Sequence, residues 1–424
     1  MEAGVHRARA QPVARVVVEQ QLSLRTHRDF RLLWAGNLVS QFGVRVGVLA
    51  TSFLAVDKLD STPFQVGVLN AAQYLGLIVI GLPAGAWIDR RLRRPLMIGA
   101  DLVRCALFAS VVLTGWLGLI SYWQLLIVVA IGGFASVFFD VGQLSYLPSL
   151  VSREQLLDGN ARLQVSQSMA VIVGPAAGGL LISAIGAANA MLATTTGFAL
   201  SAWQIARIRT KEKPPAGAAE GSLRAQIAEG FSLIFRDPAL RAIACCTSTY
   251  NLFLAMVLSL NVLFLLRTIG LSGASAGVVL ASTGLGGFCG ALLGRRLASK
   301  VGRARLAWVA LLLSQPAALL IPLAGSGWRI GLFAIGWFVT GIGSTVYNIA
   351  QVTFRQAACP ERILGRVNAS NRLVAWVSLP VGGVLGGTLG GQLGVRPTLW
   401  IGCVGLNLAV CWLLRSPLRT MSEI

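Results

Sequence analysis

The stretch Gly85-Ala86-Trp87-Ile88-Asp89-Arg90-Arg91-Leu92-Arg93-Arg94-Pro95 lies between two long apolar runs and carries five charges in eleven residues. Charge is scarce elsewhere: 12% of the 424 residues are charged, 55% are hydrophobic, and mean hydropathy is +0.70. One Asp followed by four Arg cannot lie in hydrocarbon, so the stretch is predicted to be a short hairpin on a membrane surface. Gly85 allows close helix approach there, and Pro95 suits the first turn of the next helix.

Working outward, twelve apolar segments are each long enough to cross a bilayer at about 20 residues per crossing. They run near 31–56, 63–88, 95–119, 122–148, 160–185, 187–208, 240–265, 273–298, 305–324, 327–352, 364–389 and 395–415. This predicts an all-α membrane protein with twelve transmembrane helices in two six-helix bundles, 31–208 and 240–415. A basic tail, 1–30, precedes them and a short tail, 416–424, follows. Between the bundles lies a polar linker, 209–239, with an amphipathic helix expected over Ser222 to Phe235.

Sidedness follows from the basic residues. Thirty of the 36 Lys and Arg fall on the side of the termini; Lys58, Arg267, Arg329 and Arg396 fall opposite, and Arg45 and Arg104 lie within helices. By the positive-inside rule both termini are cytoplasmic, in a multi-pass protein of the cell membrane. The net charge of +20 is spread between apolar runs, which argues against nucleic acid as a partner.

The two halves repeat. Glu154-Gln155-Leu156-Leu157 before Asn160-Ala161 returns as Glu361-Arg362-Ile363-Leu364 before Asn368-Ala369, and Pro175 returns as Pro380. The charged hairpin returns, degraded, as Gly294-Arg295-Arg296-Leu297-Ala298. The offset stays between 205 and 209 residues. Six helices per copy make the repeats parallel and the bundles pseudo-symmetric, as in a transporter that rocks two halves about one site.

The hairpin Gly85-x-x-x-Asp89-Arg90-x-x-Arg93-Arg94 resembles the signature loop of the major facilitator superfamily. Gly174-Pro175-x-x-Gly178-Gly179 resembles the antiporter motif of its drug exporters. The run Phe139-Asp140-Val141-Gly142-Gln143, with Leu147-Pro148-Ser149-Leu150-Val151 and Asn160-Ala161, is similar to the branch of macrolide efflux pumps and the enterobactin exporter. The resemblance covers roughly residues 28–415 and implies alternating access, with export by exchange for protons. Two departures stand out. Ala298 replaces the Asp in the second hairpin, which predicts asymmetric latching. Gly43-Val44-Arg45 lacks the acid that often follows the Gly in this branch.

The candidate groups fall into two sets. Gating is assigned to Gly85, Asp89, Arg90, Arg93 and Arg94, which can pair and cap helix ends or simply flank the membrane. Asp101 and Arg104, three apart on one helix face, form either part of that network or a structural pair. Gly174, Pro175, Gly178 and Gly179 bend and closely pack the fifth segment. The cavity set starts from Asp140 and Arg45, ionisable groups deep in the fourth and first segments. Such groups mark functional sites by default, although a satisfied structural carboxylate is the plain alternative for Asp140. Asn37, Gln41 and Arg45 form a stripe on the first segment, and Ser136, Asp140 and Gln143 form one on the fourth. Asn251 on the seventh, with Ser344, Tyr347 and Asn348 on the tenth, occupies the equivalent positions.

There is no GxxxxGK[ST], so no ATP is hydrolysed by this chain. The only histidines, His6 and His27, precede the first segment, and the seven cysteines form no CxxC. No metal, cofactor or enzymatic centre is expected. The implied partners are a small-molecule substrate, protons and the lipid bilayer. Export of an amphipathic molecule is the leading function. An importer or facilitator of a polar metabolite, and a non-transporting receptor or scaffold, remain alternatives.

Overall fold

The computed structural model describes residues 24, 27–80, 91–152, 155–210, 212, 231–359 and 361–420. The helices in chain order are α1 Arg28–Phe53, α2 Pro63–Ile80, α3 Arg93–Trp116, α4 Tyr122–Leu150, α5 Leu156–Ile185 and α6 Ala187–Ala206. The second half has α7 Pro238–Leu263, α8 Gly273–Val301, α9 Arg303–Ser314, α10 Ile330–Ala358, α11 Glu361–Gln392 and α12 Val395–Leu408. Helix α9 tightens into a 3-10 stretch, Gln315–Leu320, where Pro316 removes a backbone donor. Ten of these segments are long and apolar enough to span a membrane; α6 and α9 fill the sixth and ninth places. No strand occurs among the described residues.

The sequence starts these helices with side-chain caps. His27 Nδ1 accepts from Phe30 N, Ser121 Oγ from Gln124 N, and the Asp237 carboxylate from Ala239 and Leu240 N. Thr62 and Gln65 form a reciprocal capping box at α2, with Pro63 in the first turn. Outward faces carry leucines, valines and tryptophans, including Leu313, Trp123 and Trp328, with no protein over them. Such surface is stable only against lipid.

Pairing within the halves is symmetric. Helix α1 packs on α5 and α6 as α7 packs on α11 and α12; α3 packs on α4 as α9 packs on α10. Irregularities recur as well. Both α1 and α7 end in one π-helical turn, Leu54–Lys58 and Phe264–Thr268. Gly186 and Gly394, at φ 83° and 90°, turn α5 into α6 and α11 into α12.

An even helix count per half places the start of α1 and the end of α12 on one face, the terminal face. The α1–α2 and α7–α8 turns lie on the distal face. The halves meet along two seams, α5 with α8 and α2 with α11. Near the distal face the seams are backbone on backbone. A methyl added to Gly179 would sit 2.8 Å from Gly277 Cα, and one added to Gly67 would sit 2.7 Å from Gly387 Cα. Polar ties reinforce this end. Arg267 pairs with Asp60 at 2.6 Å and donates to Val56 O, and Ala274 N donates to Ser183 Oγ. The structure is thus sealed on the distal side.

Of the expected linker, Arg209, Thr210 and Glu212 are anchored on the first half. The Arg209 and Thr210 amides and the Thr210 hydroxyl donate to the Asp29 carboxylate. Of the expected amphipathic helix only residues 231–235 are described; they are helical, and the rings of Phe231 and Phe235 stack 6.3 Å apart.

Replacing Gly179 by Val should part α5 from α8 and loosen the distal seal. In a cysteine-free background, a Cys placed at Ser183 should react several-fold faster with a membrane-impermeant maleimide. Unchanged reactivity would show that the glycine contact does not hold this face shut.

Candidate functional site

Gly85, Asp89 and Arg90 lie outside the described residues. The rest of the charged hairpin is held within the first half. The Glu212 carboxylate accepts from Arg93 N at 2.8 Å and Arg94 N at 3.2 Å, and pairs with the Arg93 guanidinium at 3.6 Å. An acid therefore satisfies the free amides at the positive end of α3. Arg94 turns the other way and donates to the Ile205 and Ala206 carbonyls at the end of α6, the negative end of that helix dipole. The two arginines thus tie α3, α6 and the start of the linker together.

Asp101 and Arg104 are ion-paired and buried. The guanidinium lies between two rings, 4.6 Å from Phe139 on α4 and 4.4 Å from Phe198 on α6, and reaches Ser136 Oγ at 3.4 Å. Ser136, expected on the cavity wall, instead spends its hydroxyl on Gly132 O and on this pair.

Next to this pair lies the set of charges that the sequence placed deep in the membrane. Asp140, in the terminal half of α4, is exposed and lies within electrostatic reach of Arg104 on α3, Arg45 on α1 and Arg372 on α11. Arg45 is half-buried, with Tyr74 of α2 and Asp140 as its electrostatic neighbours. Gly174 makes its placement possible. A Cβ there would run into the Arg45 side chain, with Cγ at 3.0 Å. The glycine motif of α5 therefore serves two partners. Gly174 and Gly178 face α1, where Gly178 would meet Leu49 at 3.3 Å, while Gly179 faces α8 across the seam. The Pro175 carbonyl lies against Gly277 in the same seam.

The other cavity candidates diverge. Gln41 is half-buried on the Arg45 side, but Asn37 and Gln143 are buried. Residues four apart drift by about 40° per step around a helix, so Asn37 and Arg45 cannot share one outlook. Asn251 donates to Ala375 O and bonds α7 to α11. Tyr347 is a correction. It is buried, its hydroxyl 2.7 Å from Thr247 Oγ1 and bonded to Ile243 O, because it points about 60° away from Ser344. Ser344 and Asn348 do face open space, a cleft of about 590 Å³ among α5, α8 and α10. A second cleft of about 670 Å³ lies among α2, α4 and α11. The sequence did not single out Tyr74, Arg372 or Glu212. The one local signal for Arg372 is Trp376 one turn later, whose ring lies 4.1 Å from its guanidinium.

A family model described as a transmembrane secretion effector matches residues 21–424. The chain belongs to this family, MFS_3. It is therefore a major facilitator transporter, a multi-pass membrane protein and not an enzyme. Macrolide efflux protein A of Streptococcus pyogenes is 25% identical over 402 residues, covering 92% of this chain and 95% of that protein. The enterobactin exporter EntS of Escherichia coli is 27% identical over 354 residues, covering 81% of each. Among solved structures, a bacterial homologue of the iron transporter ferroportin in an inward-facing state superposes with a TM-score of 0.73 at 14% identity. That match covers 92% of this chain and 98% of that one. The nucleoside transporter NupG superposes at 0.72 with 12% identity, over 91% and 99%. These two likenesses carry the fold alone. The MFS_3 family thus supplies the transporter class, and the charges of α1, α3, α4 and α11 supply its candidate machinery here.

In this MFS_3 transporter, Arg104→Met should leave Asp101 buried without its partner and cost about 3–5 kcal/mol. The double variant Arg104→Met with Asp101→Leu should recover most of that loss. Thermal unfolding in nanodiscs checks both; equal losses in the two variants would show that the pair holds nothing together.

Proposed function

We propose that the protein exports an amphipathic small molecule, an antibiotic or a siderophore-like natural product, in exchange for protons. The terminal face is taken as the cytoplasmic one, in the cell membrane, on the strength of its basic residues. The efflux relatives support this direction and this class of cargo. The observation that carries the coupling is Asp140, an exposed carboxylate set among three guanidinium groups.

Two acids sit deep in the first half. Asp101 is buried and bound to Arg104, so it is badly placed to exchange protons with a cavity. Asp140 is reachable. Its charge is shared between α1 and α3 of its own half and α11 of the other. Protonation removes the negative charge that, among the described residues, draws Arg372 toward α4, and so weakens the attraction between halves on that side of the seal. Deprotonation restores it. A proton taken or released at Asp140 would in this way bias which face is open, the differential contact that coupling requires. Gating belongs in this account to the α3 end, where Arg93 and Arg94 brace the first half as one body, and to the glycine seams that close the distal face.

Asp140→Asn keeps the shape of the side chain and cannot carry the proton. In everted vesicles containing a pH-sensitive dye, addition of a macrolide or a catecholate siderophore should drive proton movement with the wild-type protein. The variant should lose that signal by at least about tenfold, as for loss of an acid–base group, with its unfolding temperature preserved. Proton movement that persists in the variant would remove Asp140 from the coupling. No substrate-dependent movement in the wild type, across both classes of compound, would overturn the exchange itself.

A further inference from the structure

The two clefts named above are related by the pseudo-symmetry of the halves, since α2, α4 and α11 correspond to α8, α10 and α5. Their linings are opposite in character. The α2–α4–α11 cleft is walled by residues such as Val68, Ala72, Leu126 and Val384, and its only proline is Pro380. The α5–α8–α10 cleft presents Gln164, Gln167, Ser168, Thr283, Ser344 and Asn348, with no charged residue on its wall among the described residues.

Most hydroxyls in these helices are spent on a backbone carbonyl one turn back, as with Thr51 on Gly47 O and Ser52 on Val48 O. Gln164, Gln167, Ser168 and Thr283 differ. None of their side chains is hydrogen-bonded among the described residues. Both glutamines are exposed, and they are one turn apart on α5, so both amides face the same opening. They lie six and nine residues into the membrane span that begins at Asp158. Polar groups with unspent donors and acceptors at such depth are costly in hydrocarbon unless water or a ligand meets them. Two amides and two hydroxyls around about 590 Å³ are suited to a neutral group that both donates and accepts. With no charge among the described residues of the wall, they offer little to an isolated anion or cation.

We propose that the α5–α8–α10 cleft binds the neutral, hydroxyl-bearing part of a small amphipathic molecule, with Gln164 and Gln167 as its recognition groups. The assignment of this molecule as cargo rests on the export reading above; the binding site does not. The cleft confers a preference for uncharged polar heads, and the charges around Asp140 are left to the coupling step.

The test uses the full chain in phosphatidylcholine nanodiscs with three submicellar probes that share one alkyl tail: nonyl β-glucoside, nonyl sulfate and nonyltrimethylammonium. The readout is the unfolding temperature across a titration of each. The glucoside should stabilise the wild type, with an apparent affinity at least about tenfold above either charged probe. Gln164→Leu with Gln167→Leu should lower the glucoside affinity about tenfold, the loss of one or two neutral hydrogen bonds. Gln167→Glu should bring the ammonium probe into binding, a switch that a packing role would not produce. Should the double Leu variant not fold, this switch decides alone. Equal response to all three heads in the wild type, or no change of preference in Gln167→Glu, overturns the proposal. Glucoside binding by a protein that moves nothing in vesicles would keep the site and sink the export reading. Export through a head-blind cleft would do the reverse.

Discussion

The contact on which the rest of the structure depends is helix backbone against helix backbone at the distal ends of the two seams. Lipid tails are as apolar as leucine, so hydrophobicity alone does not bring helices together inside a membrane; close packing does. Gly179 against Gly277, and Gly67 against Gly387, let two pairs of helices touch with no side chain between them. That contact decides which face is shut. It leaves the clefts elsewhere along the seams, one lined with glutamine, threonine and asparagine and the other with valine and leucine.

The charges are arranged around that geometry. Asp101 and Arg104 neutralise each other in the interior of the first half and are walled by Phe139 and Phe198. Arg45 enters through the gap left by Gly174 and faces Asp140, which also feels Arg372 from the second half. Permanently charged guanidinium groups at this depth require counter-charge or water. Here the first half supplies the acid and both halves supply the bases. At the terminal face the same economy holds with backbone in place of side chains. Glu212 meets the bare amides of α3, and Arg94 meets the bare carbonyls of α6.

Much of the fold was legible because hydropathy and turn chemistry are local. The long segments stand out on composition, and the repeat of Glu154 and Glu361, or Pro175 and Pro380, reveals the duplication without coordinates. The weaker segments have physical reasons. Thr194, Thr195, Thr196 and Ser201 dilute α6, and Pro316 breaks α9 into two kinds of helix. Arg45 and Asp140 were legible as intramembrane charges. Their neighbours were not, since Tyr74, Arg372 and the space beside Gly174 come from other segments, and no spacing within one helix reports a contact between two. Tyr347 was misplaced because helix faces turn away from a four-residue stripe. Glu212 escaped notice because an acid in a polar linker looks like any other until a helix end is found above it.

The matching π turns at the ends of α1 and α7 have a consequence for the history of the chain. A π turn of this kind is the mark of one extra residue accommodated within an existing helix. Finding it at corresponding places in both halves points to a single insertion, older than the duplication that produced them. Asp89 against Ala298, and the opposite linings of the two clefts, are by contrast features that the halves do not share.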